Sequence, residues 1–146
     1  MFTIRQASMS DCSAVALLAQ QLWPHHTQEK LQAEFSPLLT GSGAVVYLAM
    51  EADTPVGFAQ CQLRHDYVEG TSSSPVGYLE GIFVTPAFQS KGIARALLAA
   101  CENWAKAQGC EEFASDCELN NDTSLRFHLS VGFEEANRII CFTKKL

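Results

Sequence analysis

The segment covering residues 82–94 is the part of the chain whose residue types and spacing point most directly to chemistry. It combines an apolar strand, a proline-containing turn and the pattern Q-x-x-G-x-A over residues 89–94, at the start of a long helix. The first N–H groups of a helix lack partners within it, and the helix dipole adds positive potential there. Gly92 keeps the backbone accessible, and Lys91 and Arg95 add charge. The segment predicts an anion-binding loop; an ordinary strand-to-helix turn is the alternative, since the pattern alone is not specific.

Two acidic residues stand where carboxylates can take part in a site. Glu80 lies in the middle of the apolar stretch Val76–Val84, and Asp116 ends the predicted strand Glu111–Asp116. A charge in an apolar strand is costly to bury without a partner, which favours a functional role for Glu80. If the two strands are neighbours, both carboxylates converge on one cleft. An outward-facing strand residue is the alternative for Glu80.

The elements that must position these residues follow from the hydrophobic pattern. Alternating apolar residues predict strands, and short turns between three consecutive strands predict antiparallel pairing. A later strand–helix–strand unit predicts local parallel pairing in a mixed sheet. The predicted strands are Phe2–Gln6, Ala44–Met50, Val56–His65, Val76–Val84, Glu111–Asp116 and Arg138–Lys144. The predicted helices follow Ser10 or Asp11, then Thr27 (ended by Pro37 and Gly41–Gly43), then span Gln89–Gln108 and Asn121–Ser130.

Length and composition bound the class of protein. The chain has 146 residues, of which 47% are apolar and 18% charged, and a net charge of −6. These values are typical of one globular domain, here residues 1–146. The acid excess disfavours nucleic acid as a partner and is compatible with a cationic one.

Two further absences bear on location and cofactors. No apolar run is long enough to span a membrane and no leader is recognised, so a cytoplasmic location is expected. The six cysteines show no C-x-x-C or zinc spacing, so reduced thiols and no metal site are expected.

The predicted anion loop, which follows a strand ending in V-x-P, resembles the coenzyme-binding motif of the GNAT acetyltransferases. Residues 121–133, with the pattern N-x-x-S-x-x-F-H-x-x-x-G-F, are also similar to that superfamily, and the order of elements agrees along essentially the whole chain. The resemblance implies an α/β GNAT fold: a mixed, mostly antiparallel twisted sheet of six to seven strands with about four helices, splayed between strands 4 and 5. It also implies acetyl-coenzyme A as co-substrate.

A closer resemblance is to the aminoglycoside 6′-N-acetyltransferases of the short chromosomal bacterial type. It implies direct attack of the 6′-amine of an aminoglycoside on the acetyl thioester, with antibiotic resistance as the outcome, and a homodimer that the β-rich C-terminus can close. An acceptor of another class (a polyamine or a protein N-terminus) and a non-catalytic acetyl-coenzyme A-binding module are the alternatives. The stretches that carry the resemblance are Leu22–His26, Arg64–Gly70, Ser74–Val76, Leu79–Val84, Phe113–Asp116 and Gly132–Glu135.

The resemblance also implies roles for particular residues. Glu80 and Asp116 are the candidate catalytic carboxylates and acceptor contacts. Glu80 can act as base, directly or through a water, and Asp116 can instead serve mainly to hold the acceptor cation; the sequence leaves these roles open. A backbone N–H of Phe83 or Val84 is expected to stabilise the developing oxyanion. His128 stands where many superfamily members have a tyrosine that protonates the departing thiolate, so it is a candidate acid.

The expected contacts with the two substrates fall on different parts of the chain. Asn121 and Ser124 have a second interpretation, since they can instead cap a helix. The expected coenzyme contacts are Ile82, Phe83, Val84, Gln89, Ser90, Lys91, Gly92, Ile93, Ala94, Arg95, Asn121, Ser124 and His128, and the expected acceptor contacts are Trp23, His25, His26, Asp66, Tyr67, Glu69, Glu80 and Asp116.

Overall fold

The computed structural model describes all 146 residues, and one five-stranded sheet organises them. The strands, in their spatial order, are β1 Phe2–Gln6, β2 Ala44–Glu51, β3 Thr54–Arg64, β4 Val76–Val84 and β5 Phe113–Ser115. The helices are α1 Cys12–Leu22, α2 Gln28–Thr40, α3 Ile93–Ala107 and α4 Asp122–Ser130, with short 3-10 turns at Met9–Asp11 and Pro86–Phe88. Strands β1 to β4 pair antiparallel and β5 joins β4 in parallel. The predicted mixed, mostly antiparallel sheet and the four helices are confirmed.

Helices cover both faces of the sheet. On the face covered by α1 and α2, Trp23 and Phe35 each meet the ring of Phe58 edge-on, with centroid distances of 6.2 and 6.0 Å. On the opposite face, α3 buries Leu97 and Leu98 against β2, β3 and β4. Full burial of one such side chain contributes about 1.5–3 kcal/mol, so these apolar stripes fix how the helices sit on the sheet.

β4 and β5 part after a short stretch of pairing. Three residue pairs join them, ending at Leu79 and Ser115, whereas β4 continues to Val84. Residues 80–84 therefore have no strand on that side, which confirms the predicted splay between strands 4 and 5.

A β-bulge places Glu80 at the point where the strands part. The pairing of β3 with β4 shifts register between Gln60 and Cys61, which leaves Glu80 without a partner residue on β3. Bulges re-aim side chains and are common beside active sites. The next residue, Gly81, lets the Trp23 ring pack directly on the strand, because a Cβ at Gly81 would lie 2.7 Å from that ring.

The long helix starts later than the sequence predicts. α3 begins at Ile93 instead of Gln89, and the intervening residues form a loop after the 3-10 turn. Ser90 and Gly92 have positive φ angles of 63° and 85°, which a right-handed helix cannot accommodate. The residues of the predicted anion motif therefore lie in the loop that precedes the helix and in its first turn.

Of the two predicted stops of α2, Gly41 is the one at which the helix ends. Pro37 lies inside the helix, because the exposed proline leaves its buried face undisturbed. One further prediction is wrong. Arg138–Lys144 forms no strand, so the sheet has five strands instead of six to seven. Its β-prone side chains Ile140 and Phe142 are 80% and 88% exposed. Strand propensity alone does not produce a strand when the segment pairs with no other strand.

The cysteines form no disulfide, and all six thiols are free. Cys12, Cys61 and Cys101 are buried. The hydrogen bond with Cys61 and burial both raise the pKa of Cys101, so this thiol stays protonated and unreactive. None of the helices combines the length and the apolarity that crossing a bilayer requires.

Candidate functional site

The loop before α3 presents a row of free backbone donors. None of the N–H groups of residues 90–95 donates to an acceptor in the protein, and α3 has neither a side-chain cap nor an acidic residue in its first turn. Gly92 adopts a φ of 85° at the helix N-cap, where a side chain would be strained. Lys91 and Arg95 form no ion pair. Unpaired amides, the helix dipole and two free cations fit phosphate groups.

Residues 80–84 of β4, which have no strand on the β5 side and are here called the parted edge, offer two more free N–H donors. Successive strand residues point their N–H and C=O groups alternately to the two sides, and Thr85 N donates to β3 at 2.9 Å. Ile82 and Val84 therefore point their N–H groups away from β3, toward the side that β5 has left, and Phe83 points the other way. The Val84 carbonyl on the open side accepts a hydrogen bond from the Gln89 side chain at 2.9 Å.

A hydrogen-bonded histidine lies where the two strands separate. His128 Nε2 is 2.8 Å from Ser115 Oγ, which also lies 3.4 Å from Leu79 O. The other ring nitrogen, Nδ1, is 2.7 Å from Ser124 O. Because a carbonyl only accepts, Nδ1 donates to it. Phe133 packs against the imidazole with a centroid distance of 5.0 Å, so the ring is held in one orientation.

An arginine and a tyrosine join the two predicted carboxylates. Arg64 donates to both oxygens of Glu80, from Nε at 3.0 Å and from Nη2 at 2.8 Å. Its guanidinium carbon lies 3.4 Å from the centroid of the Tyr78 ring, and the Tyr78 hydroxyl donates to Asp116. Burial and the bond to Asp116 raise the pKa of Tyr78, and the bond to Glu80 raises the pKa of Arg64. Near neutral pH the tyrosine is therefore a donor and the arginine a cation.

A cavity of about 230 Å³, here called the α2 cavity, opens beside Glu80 on the sheet face that α1 and α2 cover. Three of its seven lining residues are apolar, and the other four are two glutamates, a glutamine and a histidine. Such a lining suits a ligand with apolar surface and positive charge. The lining residues are Trp23, His26, Glu34, Phe35, Leu38, Gln60 and Glu80.

The structure brings one part of the predicted acceptor set together. Trp23, His26 and Glu80 line the α2 cavity, and Asp116 is connected to Glu80 through Tyr78 and Arg64. Glu80 lines this cavity and Asp116 does not, so a shared cleft for the two carboxylates stays a prediction.

The other predicted acceptor residues lie outside the cavity: His25, Asp66, Tyr67 and Glu69. Tyr67 is 76% exposed, and its hydroxyl accepts from Gly70 N at 3.4 Å. Glu69 accepts from the Asn137 side chain at 2.9 Å, which ties the loop between β3 and β4 to the C-terminal segment. A contact of these four residues with an acceptor stays a prediction.

The predicted coenzyme residues of α4 have structural partners within the chain. Asn121 Oδ1 accepts from Ser124 N at 3.1 Å and caps α4. Ser124 Oγ lies 3.3 Å from His128 Nδ1. The capping interpretation that the sequence left open for Asn121 is therefore the observed one, and coenzyme contacts from α4 stay a prediction.

Several site residues escape the sequence analysis: Glu34, Gln60, Arg64, Tyr78 and Ser115. Glu34 follows Leu31 by three residues and precedes Leu38 by four, so helical spacing places it on the rim of the buried stripe. That spacing is a signal from which Glu34 can be found. The pairing of Arg64 with Glu80 depends on the bulge in β4, which no local pattern predicts.

The fold and the site together define a class of protein. A mixed sheet that parts beside an anion-binding loop is the architecture expected of an acetyltransferase that uses coenzyme A. Residues 9–133 match the family described as "Acetyltransferase (GNAT) family", and the chain belongs to this family. No group of three or more His, Cys, Asp or Glu side chains is arranged to hold a metal ion.

Similar proteins share one named activity. The chain is 46% identical over 145 residues to an aminoglycoside N(6′)-acetyltransferase type 1 of Stenotrophomonas maltophilia, covering 99% of this chain and 94% of that protein. It is 39% identical over 142 residues to the protein of the same name from Salmonella typhimurium, with 97% and 98% covered.

Solved structures agree with this similarity. The aminoglycoside N-acetyltransferase AAC(6′)-Iy in complex with CoA superposes with a TM-score of 0.96 at 38% identity, covering 100% of this chain and 96% of that one. AAC(6′)-Iy bound to the bisubstrate analogue CoA-S-monomethyl-acetylneamine superposes with a TM-score of 0.95 at 38% identity, covering 100% of this chain and 99% of that one.

Arg64→Gln should lower the free energy of unfolding by about 1 kcal/mol, because Glu80 loses its cation while the arginine side chain, 43% exposed, is screened by solvent. Arg64→Lys keeps the charge but loses the two-point hydrogen bond, so its free energy of unfolding should lie between those of the wild type and Arg64→Gln. Urea denaturation measures both, and Arg126→Gln, an exposed arginine of α4 without an ion pair, is the matched control. An equal loss at Arg126, or none at Arg64, contradicts this role of the Arg64–Glu80 pair.

Proposed function

We propose that this protein transfers the acetyl group of acetyl-coenzyme A to the 6′-amino group of aminoglycoside antibiotics, by direct attack in a ternary complex, and thereby confers resistance to them. The observation that carries the proposal is the position of Glu80. It is the first residue of β4 beyond the last pair with β5, and its carboxylate lines the α2 cavity. A cationic acceptor bound in that cavity meets the parted edge of β4. The named activity of relatives 39% and 46% identical to the chain supports the same reaction.

The loop of residues 89–92 before α3, here called the anion loop, and the first turn of α3 fit the coenzyme. Acetyl-coenzyme A, when bound, supplies an acetyl thioester. The free N–H groups of residues 90–95 and the cations Lys91 and Arg95 suit its phosphates, and the free N–H groups of Ile82 and Val84 suit an extended arm with amide groups. The proposed coenzyme contacts are Ile82, Phe83, Val84, Gln89, Ser90, Lys91, Gly92, Ile93, Ala94, Arg95, Asn121, Ser124 and His128.

The proposed chemistry joins the acceptor nitrogen to the acetyl carbon and breaks the carbon–sulfur bond. Val84 N–H donates to the acetyl oxygen as negative charge develops there, since the Phe83 N–H is directed to β3. An oxyanion donor contributes about 2.7–4 kcal/mol in comparable sites. Glu80 takes the proton of the acceptor ammonium, directly or through one water.

The proposed acceptor site uses charge to hold a polycation. Glu80 and Asp116 supply carboxylates, and Arg64 and Tyr78 keep them oriented until the acceptor arrives. Trp23 and His26 supply cavity wall, and His25, Asp66, Tyr67 and Glu69 supply the proposed outer contacts. Orienting both substrates is itself worth on the order of 7–11 kcal/mol of barrier.

His128 is proposed as a coenzyme-side contact. Ser115 and Ser124 occupy both of its ring nitrogens, which orients it at the closed end of the gap. A thiol with a pKa of about 8.5, as in cysteine, leaves readily as the thiolate, so the reaction does not depend on an acid at this position.

We further propose that residues 1–146 act as one acetyltransferase domain and that the protein works in the cytoplasm. The single sheet, with helices on both faces, supports the first statement. Six free thiols suit a reducing compartment and support the second.

An acetyl-transfer assay with kanamycin, tobramycin and a 6′-hydroxyl analogue tests the reaction. Turnover is expected with the first two and not with the analogue, which lacks the acceptor nitrogen. Glu80→Gln and Asp116→Asn should raise KM for the antibiotic about tenfold or more, with little change in KM for acetyl-coenzyme A. Glu29→Gln, an exposed carboxylate of α2 outside the cavity, is the control.

Three results would contradict the proposal. Acetylation of the 6′-hydroxyl analogue at another amine overturns the assignment of the position. Activity with spermidine or a peptide N-terminus, and none with the antibiotics, overturns the substrate class. A larger rise in KM for the coenzyme than for the antibiotic overturns the roles given to Glu80 and Asp116.

The C-terminal segment supports a homodimer. Ile139, Ile140 and Phe142 are 67%, 80% and 88% exposed, and a run of exposed apolar side chains is typical of an interaction surface. We expect sedimentation of the wild-type chain as a dimer at micromolar concentration, and of the Ile140→Glu/Phe142→Glu variant as a monomer. A monomeric wild-type chain, or a variant that still dimerises, contradicts the dimer proposed through this segment.

A further inference from the structure

Two carboxylates face the α2 cavity from different elements. Glu80 reaches it from β4 in the sheet, and Glu34 reaches it from α2, the helix that lies over that face. Glu80 already has a cation, since Arg64 binds both of its oxygens. Glu34 forms no ion pair and accepts no hydrogen bond in the protein, although it lines the same cavity. The cavity therefore has on its rim an exposed carboxylate with which no group of the chain pairs.

The polar atoms beside Glu34 give a second, independent indication of a ligand. Gln60 is only 9% exposed and lines the cavity; its amide nitrogen donates to Gln62 at 3.1 Å, but its oxygen receives no hydrogen bond from the protein. His26 Nδ1, in the same lining, is buried without any partner. A buried polar atom such as His26 Nδ1 is nearly always hydrogen-bonded. The two free atoms and the free carboxylate thus point to one polar, cationic ligand.

The size of the cavity limits what it can hold. Its volume of about 230 Å³ is below the roughly 300–1,000 Å³ typical of sites that enclose a drug-sized ligand. Trp23, Phe35 and Leu38 supply apolar surface of the kind that packs against the faces of a sugar ring. The cavity suits one amino-sugar ring, with the rest of the antibiotic outside it.

We propose that Glu34, with Gln60 and His26, forms a second cation subsite that binds the 2′-amine of the same ring whose 6′-amine is acetylated. This inference rests on the proposed function. In a hexopyranose ring the carbon that bears the 6′ carbon lies across the ring from the 2′ carbon. A ring with its 6′-amine at Glu80 on the sheet therefore directs its 2′ substituent toward α2. The subsite makes the enzyme select acceptors that carry an amine, instead of a hydroxyl, at the 2′ carbon.

Kanamycin B and kanamycin A provide a matched pair of substrates, because they differ only in an amine or a hydroxyl at the 2′ carbon. We expect kcat/KM of the wild-type enzyme to be higher for kanamycin B. Glu34→Gln should lower kcat/KM for kanamycin B about tenfold and leave that for kanamycin A nearly unchanged, so the preference disappears. Glu34→Asp, which keeps the charge on a shorter side chain, should retain part of the preference.

Glu29→Gln is the control on the same helix, since Glu29 lies outside the cavity, and it should behave as wild type. Equal losses for both kanamycins in Glu34→Gln, no loss for either, or no preference in the wild-type enzyme would each overturn the subsite. Turnover of neither kanamycin by the wild-type enzyme would overturn the proposed function instead. Calorimetric binding of the same two compounds then tests the subsite directly: tighter binding of kanamycin B that Glu34→Gln abolishes supports it, and equal binding overturns it.

Discussion

The separation of β4 from β5 beyond Leu79 and Ser115 is the constraint on which the rest of the site depends. Up to that pair the sheet satisfies the backbone of β4 on both sides; beyond it, the N–H groups of Ile82 and Val84 have no strand partner. Exposed strand edges bind further extended chains readily, so this edge is available to the coenzyme arm. Every other part of the site adjoins it: the anion loop continues from the end of β4, and the bulge at Glu80 marks the beginning of the gap.

Charge is distributed in accordance with this geometry. The free amides of residues 90–95, with Lys91 and Arg95, form an anion site at one end of β4. Glu80 and Glu34 give the α2 cavity the opposite sign, and Asp116 is linked to it through Tyr78 and Arg64. The positions of the charged groups are therefore more informative than the net charge of −6, because a reaction between an anionic coenzyme and a cationic sugar needs both signs of charge within one site.

Much of this arrangement is encoded locally and was predictable. The strand predicted over Val76–Val84 and the apolar stripe of α3 appear in the structure, and the glycine of the loop has the backbone angle that favours glycine. Non-local features were not predictable. The Arg64–Glu80 pair needs the register shift in β4, and Glu34 acquires its role only when α2 lies over the sheet. Residues 138–144 have the composition of a strand but pair with no strand of their own chain, so pattern alone misassigned them.

Hydrogen exchange of single backbone amides, measured by NMR with and without coenzyme A, tests the central claim most directly. The amides of Ile82 and Val84 should exchange rapidly in the free protein and become protected when coenzyme A binds. Thr85, whose N–H already donates to β3, should be protected in both states. Slow exchange of Ile82 and Val84 in the free protein, or rapid exchange that coenzyme A does not change, would contradict the account of a free β4 edge that receives the coenzyme.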